Sequence, residues 1–244
     1  QLTQADFRRI HQTSEFGELG NRLAKYRTPA EDLYTGQQHV RLMEGVHAFR
    51  EQREQDTVDL WVLSAGYGLI RGNREIVPYE CTFSGMRAKE IDEWARHLRI
   101  PADAREVFAD SADLVLVLLG DAYLRALDLD DDVTFGAPTV FFTGRSNQDR
   151  VKGQGPVQSI PLSNPEAKLF SCGLVGLKGE VAKRILSRLA EGGGAFLKDL
   201  LNPEVDVLPR LEKQRPAPSE TPEKSSEATA YPVVAYVIDR PDAW

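Results

Sequence analysis

The sequence predicts an α/β domain built on a central, mostly parallel sheet with helices on both faces. Three near-continuous apolar runs are the first observation: "LWVLSA" (60–65), "DLVLVLLG" (113–120) and "PTVFFTG" (138–144). Such runs are typical of strands that are covered on both faces. The second observation is that segments with helical periodicity lie between and after these runs, which favours a layered α/β arrangement. We expect one main domain over residues 1–213.

Helical patterns connect the predicted strands. Apolar spacing predicts helices near residues 3–13, 36–53, 87–99, 121–128, 178–190 and 194–201. Thr35, with Gln38 three residues later, predicts a capping box at the start of the second of these helices.

The chain changes character after Lys213. Residues 214–229 are rich in Pro, Ser, Thr and Glu, which predicts a disordered linker. Residues 230–244 contain "YPVVAYVIDRPDAW", a strand-like segment that is too short to fold alone. Three placements are open for it: an edge strand of the main sheet, a strand paired with another copy of the chain, or part of a larger domain.

Composition excludes several classes of protein. No apolar run approaches the roughly 18 residues of a membrane span, and the first ten residues lack the features of a signal peptide, so we expect a cytoplasmic protein without membrane contact. The two cysteines, Cys81 and Cys172, have no ligand-like spacing, and we predict neither a metal nor a cofactor. The net charge of −7 argues against a surface built wholly for nucleic acid.

The loop "SAGYGLIRGNREIVPYE" (64–80) leaves the carboxyl end of a predicted strand, where open α/β sheets bind ligands. It offers a close backbone approach at its small residues, aromatic faces for stacking and a carboxylate; these residues are Ser64, Gly66, Gly68, Tyr67, Tyr79 and Glu80. The alternative is a long connection whose glycines only form turns and whose tyrosines close the core.

An ordered set of motifs carries a resemblance to a known family. "PAEDLYTG" (29–36), "WVLSAGYGLI" (61–70) and "IVPYECTF" (76–83) together resemble the YaaA-like superfamily, which contains the bacterial peroxide-stress protein and related domains of unknown function. The resemblance extends over about residues 28–200. It implies an α/β fold, DNA binding for the peroxide-stress member, and a distant likeness to domains that process modified or deazaguanine bases. It adds Tyr34 and Thr35 to the candidate site.

The N-terminal part departs from the family pattern. Family members usually begin with a strand that ends in a turn carrying a lysine, whereas this chain has "QTSEFGELGNRLAKYR" before residue 28. Either that strand lies outside this chain or the turn has been rebuilt, with Arg22, Lys25 or Arg27 in place of the lysine.

Two functions from different classes follow. The first is an enzyme that acts on the N-glycosidic bond of a nucleobase or nucleotide, including a modified base in DNA. In this hypothesis Glu80 is the nucleophile or general acid/base, Tyr67 or Tyr79 stacks the base, and the amides of Gly66 and Gly68 hold sugar or phosphate together with Arg145. The second is a noncatalytic nucleic-acid-binding module of a stress or defence system.

Overall fold

A computed structural model describes residues 2–10, 23–54, 57–212 and 233–237. Its centre is a six-stranded sheet with the strand order β4-β3-β10-β7-β8-β9. The strands are β3 (Val58–Ser64), β4 (Gly68–Arg71), β7 (Leu114–Leu118), β8 (Thr139–Thr143), β9 (Val157–Pro161) and β10 (Val233–Val237). All neighbours in this sheet are parallel except β3 and β4, which form an antiparallel hairpin. The predicted α/β class is confirmed.

The helices of the described residues fill the connections between strands. They are α1 (Gln4–Ile10), α2 (Ala30–Leu33), α3 (Gln37–Gln52), α4 (Ala88–His97), α5 (Ile100–Ala109), α6 (Asp121–Ala126), α7 (Asn164–Leu169), α8 (Leu174–Ala190), α9 (Gly194–Leu200) and α10 (Leu208–Glu212). Short 3-10 helices span Ala24–Tyr26 and Arg145–Arg150. Within the part of the chain that the structure describes, no helix is both long enough and apolar enough to cross a membrane.

Side chains of the central strands alternate between two hydrophobic cores. Leu116 and Leu118 of β7 pack in the core formed with α3 and α8, whereas Val115 and Val117 pack in the opposite core with α4, α5 and α6. All five residues of β7 are buried, because helices cover both faces of the sheet. Burial on both faces of the sheet therefore explains the continuous apolar runs of the sequence, as expected.

Helices α3 and α8 lie unusually close together because glycines form their contact. A Cβ added at Gly179 would lie 2.1 Å from the Gln38 carbonyl oxygen, and one at Gly45 would lie 2.7 Å from the Lys183 Cα. The ion pair between Arg41 and Glu180 (2.7 Å) joins the same two helices. This packing fixes the first turns of α3 and α8 beside the carboxyl end of β7.

Two short strand pairs attach the N-terminal segment to the loop that follows β4. In one, β1 (Leu2–Thr3) pairs in parallel with β6 (Tyr79–Glu80); in the other, β2 (Thr28–Pro29) pairs antiparallel with β5 (Glu75–Ile76). The first pair places Phe7 of α1 over the tyrosines of this loop.

The C-terminal strand takes a position that the sequence did not predict. β10 lies in the middle of the sheet, parallel to β3 on one side and to β7 on the other, with Ala235 opposite both Leu60 and Leu116. An edge position is therefore wrong for this strand. The predicted linker 214–229 lies outside the described residues.

Several predicted boundaries also differ from the structure. The capping box at Thr35 and Gln38 is wrong: Gly36 is the N-cap of α3, and no side chain caps this helix end. The α8 helix begins at Leu174 rather than at residue 178, and both α5 and β9 were missed. Of the first predicted helix, residues 11–13 lie outside the described part of the chain.

Candidate functional site

The carboxyl end of β3 turns sharply around one serine hydroxyl. Ser64 Oγ accepts hydrogen bonds from the backbone amides of Gly66 (3.1 Å) and Tyr67 (3.0 Å). It donates a third to the Tyr79 hydroxyl at 2.7 Å. Because these bonds satisfy the first amides of the turn, they hold the loop without a ligand. Ser64 is thus a positioning residue for the loop.

Three of the predicted site residues form a buried chain of hydroxyl groups. The hydroxyls of Tyr34 and Tyr79 share a hydrogen bond of 2.8 Å, and Ser64 continues the chain. Burial raises the pKa of Tyr79 well above its usual value, and the nearby Tyr34 raises it further. The Tyr79 hydroxyl therefore stays neutral at physiological pH and works as a hydrogen-bonding group.

Tyr67 is held in place at its ring and at its hydroxyl. The ring meets Phe7 edge-on at 4.9 Å and Tyr79 at 5.3 Å between centroids. The hydroxyl donates to the Val77 carbonyl and accepts from the Val77 amide, both at 3.2 Å. The guanidinium of Arg74 lies 5.9 Å from the ring centroid. A base that stacks on Tyr67 has to displace one of these groups.

The glycines of this loop serve packing and backbone geometry. A Cβ added at Gly66 would lie 2.6 Å from the Phe7 ring, so the absence of a side chain lets the two segments meet. Gly68 has a φ of +75°, and a Cβ there would lie 2.9 Å from the Leu98 carbonyl oxygen. Both positions thus require glycine for folding reasons.

Glu80 lies beside this cluster with its side chain turned away from it. It follows Tyr79 in β6 and pairs with Thr3 of β1. Because successive side chains of a strand point to opposite sides, the buried Tyr79 and the exposed Glu80 face in opposite directions. The backbone of Glu80 therefore lies next to the cluster, whereas its carboxylate faces solvent.

The two remaining predicted residues lie in other surroundings. Thr35 follows Tyr34 and lines a surface concavity of about 420 Å³ between α3 and α8, together with Gln37, Val40, Arg41, Glu44, Glu180 and Lys183. Arg145 follows β8, where it bonds the Ser163 hydroxyl (3.3 Å) and pairs with Glu166 (3.6 Å). Arg145 thus joins two loops at the carboxyl ends of β8 and β9.

A cluster that the sequence did not single out lies at the carboxyl end of β7. Lys178, on the first turns of α8, donates a hydrogen bond from Nζ to the Leu119 carbonyl. Gln38, on the first turn of α3, donates one to the Leu118 carbonyl at 2.8 Å. Asp121 begins α6 after Gly120 and interacts electrostatically with Lys178. An amine and a carboxylate thus lie at the same strand end.

The electrostatics of this cluster are unusual for a lysine. Burial lowers the pKa of Lys178 to about 8, and the negative charge of Asp121 opposes that shift. Perturbed lysines and open space together are typical of functional sites. A Cβ added at Gly120 would meet no atom of the described residues within 4 Å, in contrast to the packed Gly66 and Gly68. Gly120 therefore faces open space.

Two sequence signals could have identified this cluster. Asp121 directly follows the apolar run "LVLVLLG", so it lies at the carboxyl end of a strand. Lys178 stands in "GLVGLKGE", where a charged residue interrupts small and apolar neighbours on a helix. The sequence signal is weaker for Lys178, because the contact between α3 and α8 that positions this residue cannot be predicted from local sequence.

No metal site accompanies these residues. Within the described residues, no group of three or more His, Cys, Asp or Glu side chains is arranged to hold a metal ion. Cys81 donates to the Ala65 carbonyl at 3.1 Å, and burial raises the pKa of its thiol to about 11. Cys81 is thus a packed thiol rather than a nucleophile.

The fold and these contacts define the class of protein: an α/β domain with a candidate ligand site at the carboxyl edge of a mostly parallel sheet. A model for a family of unknown function, DUF6884, matches residues 20–138. The matched segment holds the Tyr34, Ser64 and Tyr79 hydroxyl chain together with Asp121, and α8 lies beyond it. Comparisons with curated proteins and with solved structures give no match.

Proposed function

We propose that this chain is a cytoplasmic enzyme that breaks or exchanges the N-glycosidic bond of a nucleobase-containing ligand. The observation that carries this proposal is the position of Asp121 and Lys178 at the carboxyl end of β7, next to Gly120, which faces open space. Ligands of open α/β sheets bind at this edge. A carboxylate suits the reaction because the transition state carries oxocarbenium charge on the sugar.

Asp121 takes the role that the sequence suggested for Glu80. Both side chains are exposed carboxylates, and Asp121 lies at the end of β7, where Lys178 donates to the Leu119 carbonyl. A carboxylate in this position stabilises developing positive charge on the sugar or moves a proton to the leaving base. The hydroxyl chain of Tyr34, Tyr79 and Ser64 takes no direct part in breaking the N-glycosidic bond in this proposal. It fixes the loop after β3.

The substrate class follows from the resemblance to the YaaA-like superfamily, to which we assign this chain within the proposal. That resemblance implies DNA binding and base processing, in a stress response or in genome defence. A nucleoside, a nucleotide or a modified base in DNA is thus the proposed ligand. A base in duplex DNA has to be flipped out of the stack before this edge of the sheet reaches it.

Release of free base tests the proposal and separates the two carboxylates. Chromatography measures base released from nucleosides, nucleotides and DNA with modified bases by the wild type, Asp121→Asn and Glu80→Gln. We expect Asp121→Asn to lower the rate roughly 10²-fold or more, since this is the usual contribution of a catalytic carboxylate. We expect Glu80→Gln to retain it. Absence of release from every substrate class by the wild type would exclude the enzyme.

Two exposed arginines favour the second candidate, a noncatalytic nucleic-acid-binding module. Arg27 and Arg74 are both exposed, and the positive charge of each opposes the rise that burial causes in the pKa of Tyr67. Both arginines therefore lie near the same tyrosine, with the Arg74 guanidinium 5.9 Å from the ring centroid. Under this alternative, affinity for single-stranded DNA falls steeply with salt, and an Arg27→Ala, Arg74→Ala double variant shows a shallower salt dependence.

A further inference from the structure

Lys178 occupies a rigid position at the candidate site. Gly179, the next residue, lies so close to α3 that a Cβ there would stand 2.1 Å from the Gln38 carbonyl oxygen. The helix backbone around Lys178 is therefore fixed against α3. The Nζ atom is anchored by its hydrogen bond to the Leu119 carbonyl, next to Gly120, which faces open space. An amine on such a rigid helix is positioned to attack one atom of a bound ligand.

The surroundings of this amine raise the fraction of its reactive, neutral form. Burial lowers the pKa of Lys178 to about 8. At pH 7.5 roughly a quarter of such amines carry no proton, against about 0.1% of lysines with an ordinary pKa. Asp121 interacts electrostatically with the amine, and in this proposal it accepts the proton that the nitrogen loses after attack.

Other lysines in the described residues lack this combination. Lys183, also on α8 and five residues later, forms an ion pair with Glu44 on α3. Lys168 on α7 and Lys89 on α4 are exposed. An amine that is solvated or bound in an ion pair is a poor nucleophile. The partly buried amine that is hydrogen-bonded at the end of β7 thus distinguishes Lys178.

We propose that Lys178 is the nucleophile of this site and forms a Schiff base with the anomeric carbon of the sugar, an inference that rests on the proposed function. The neutral Nζ attacks C1′, and the bond from C1′ to the base nitrogen breaks, so that the base leaves with that electron pair and takes up a proton. Asp121 accepts a proton from Nζ. The bond from C1′ to the ring oxygen then opens, the oxygen is protonated, and the C1′=Nζ iminium forms.

Water completes the cycle. It adds to C1′ of the iminium, the C1′–Nζ bond breaks, and the amine is regenerated while the sugar leaves as an aldehyde in equilibrium with its closed ring. The balance is one nucleoside and one water consumed for one base and one free sugar. No oxidant, reductant or metal ion takes part in these steps.

Reductive trapping tests the Schiff base separately from base release. The full chain is incubated at pH 7.5 with 2-deoxyribose 5-phosphate, or with an oligonucleotide that carries an abasic site, in the presence of sodium cyanoborohydride. Peptide mass spectrometry then locates the reduced adduct. We expect labelling of Lys178 at least tenfold above that of Lys168 or Lys183. We expect no adduct at position 178 in Lys178→Met and Lys178→Arg. Labelling of Lys178 should persist in the control Lys183→Met.

The outcomes distinguish the two proposals. Uniform labelling of surface lysines, with Lys178 no more reactive than the others, overturns the nucleophile. Base release that persists in a folded Lys178→Arg variant also overturns it and leaves the proposed function standing. Selective labelling of Lys178 in a wild type that releases no base supports the amine site and contradicts the proposed function. Because Lys178→Arg keeps the charge and much of the stem, it guards against loss of folding in Lys178→Met.

Discussion

The tyrosines after β3 illustrate how a residue that looks like a ligand contact serves the fold. Tyr34 and Tyr79 are each 8% exposed, and their hydroxyls are bonded to each other and to Ser64. Buried hydroxyls in such a chain depend on one another, since removal of one takes a hydrogen bond from each neighbour. Their contribution to a site is therefore indirect: they fix the loop that borders it.

Removal of the central hydroxyl should expose this dependence. Tyr79→Phe keeps the ring against Phe7 and Tyr67, and it removes the hydrogen bonds that the Tyr79 hydroxyl makes with Tyr34 and Ser64. We expect the free energy of unfolding to fall by about 1–3 kcal/mol, measured by urea denaturation.

The matched control for this change is Tyr26→Phe. Tyr26 is 52% exposed, and loss of its hydroxyl should alter stability by less than about 0.5 kcal/mol. If Tyr79→Phe proves as mild as the control, the hydroxyl chain does not stabilise the loop.

At the scale of the elements, the site depends on how α3 and α8 approach the end of β7. Gln38 and Lys178 both donate to carbonyls at this strand end, one from each helix. Their helices reach it because Gly179 and Gly45 leave room for backbone contact. Side chains on neighbouring first turns thus converge on one point without any local sequence motif.

Gly179→Ala tests this close approach. The added Cβ would stand 2.1 Å from the Gln38 carbonyl oxygen, so the two helices have to separate. Overpacking of this kind costs about 1–3 kcal/mol, and we expect a loss of that size in thermal or urea unfolding.

Gly173→Ala serves as the comparison for that variant. Gly173 caps the same helix, and a Cβ there meets nothing within 4 Å of the described residues. Its cost should stay below about 1 kcal/mol. Equal losses in the two variants would mean that the helix contact is not tight in solution.

The difference between predicted and observed elements follows from what local patterns contain. The strands β3, β7 and β8 were predictable because burial on both faces leaves continuous apolar runs. We also expected Tyr34, Ser64 and Tyr79 to lie close together at one end of the sheet. β9 was missed because its residues are only partly buried, and Lys178 was missed because a packing contact, not a sequence pattern, places it.

At the scale of the whole molecule, the order of the chain and the order of the sheet disagree at one strand. β10 comes last in sequence, yet it separates β3 from β7. Without it, two central strands have unpaired edges, and the hydrogen-bonded ladder across the sheet is broken into β4-β3 and β7-β8-β9. The candidate site draws Ser64 from one of these parts and Asp121 from the other, so β10 joins them.

A single proline in this strand should therefore disturb the entire domain. Ala235 lies opposite both Leu60 and Leu116, and Ala235→Pro removes a backbone donor from the middle of the sheet. We expect a loss of about 3 kcal/mol or more in the free energy of unfolding, together with loss of any ligand binding or base release. Ser225→Pro is the control, since it lies in the segment that the composition predicts to be a linker. Comparable losses in both variants, or none in Ala235→Pro, would show that β10 is not a structural strand of the sheet.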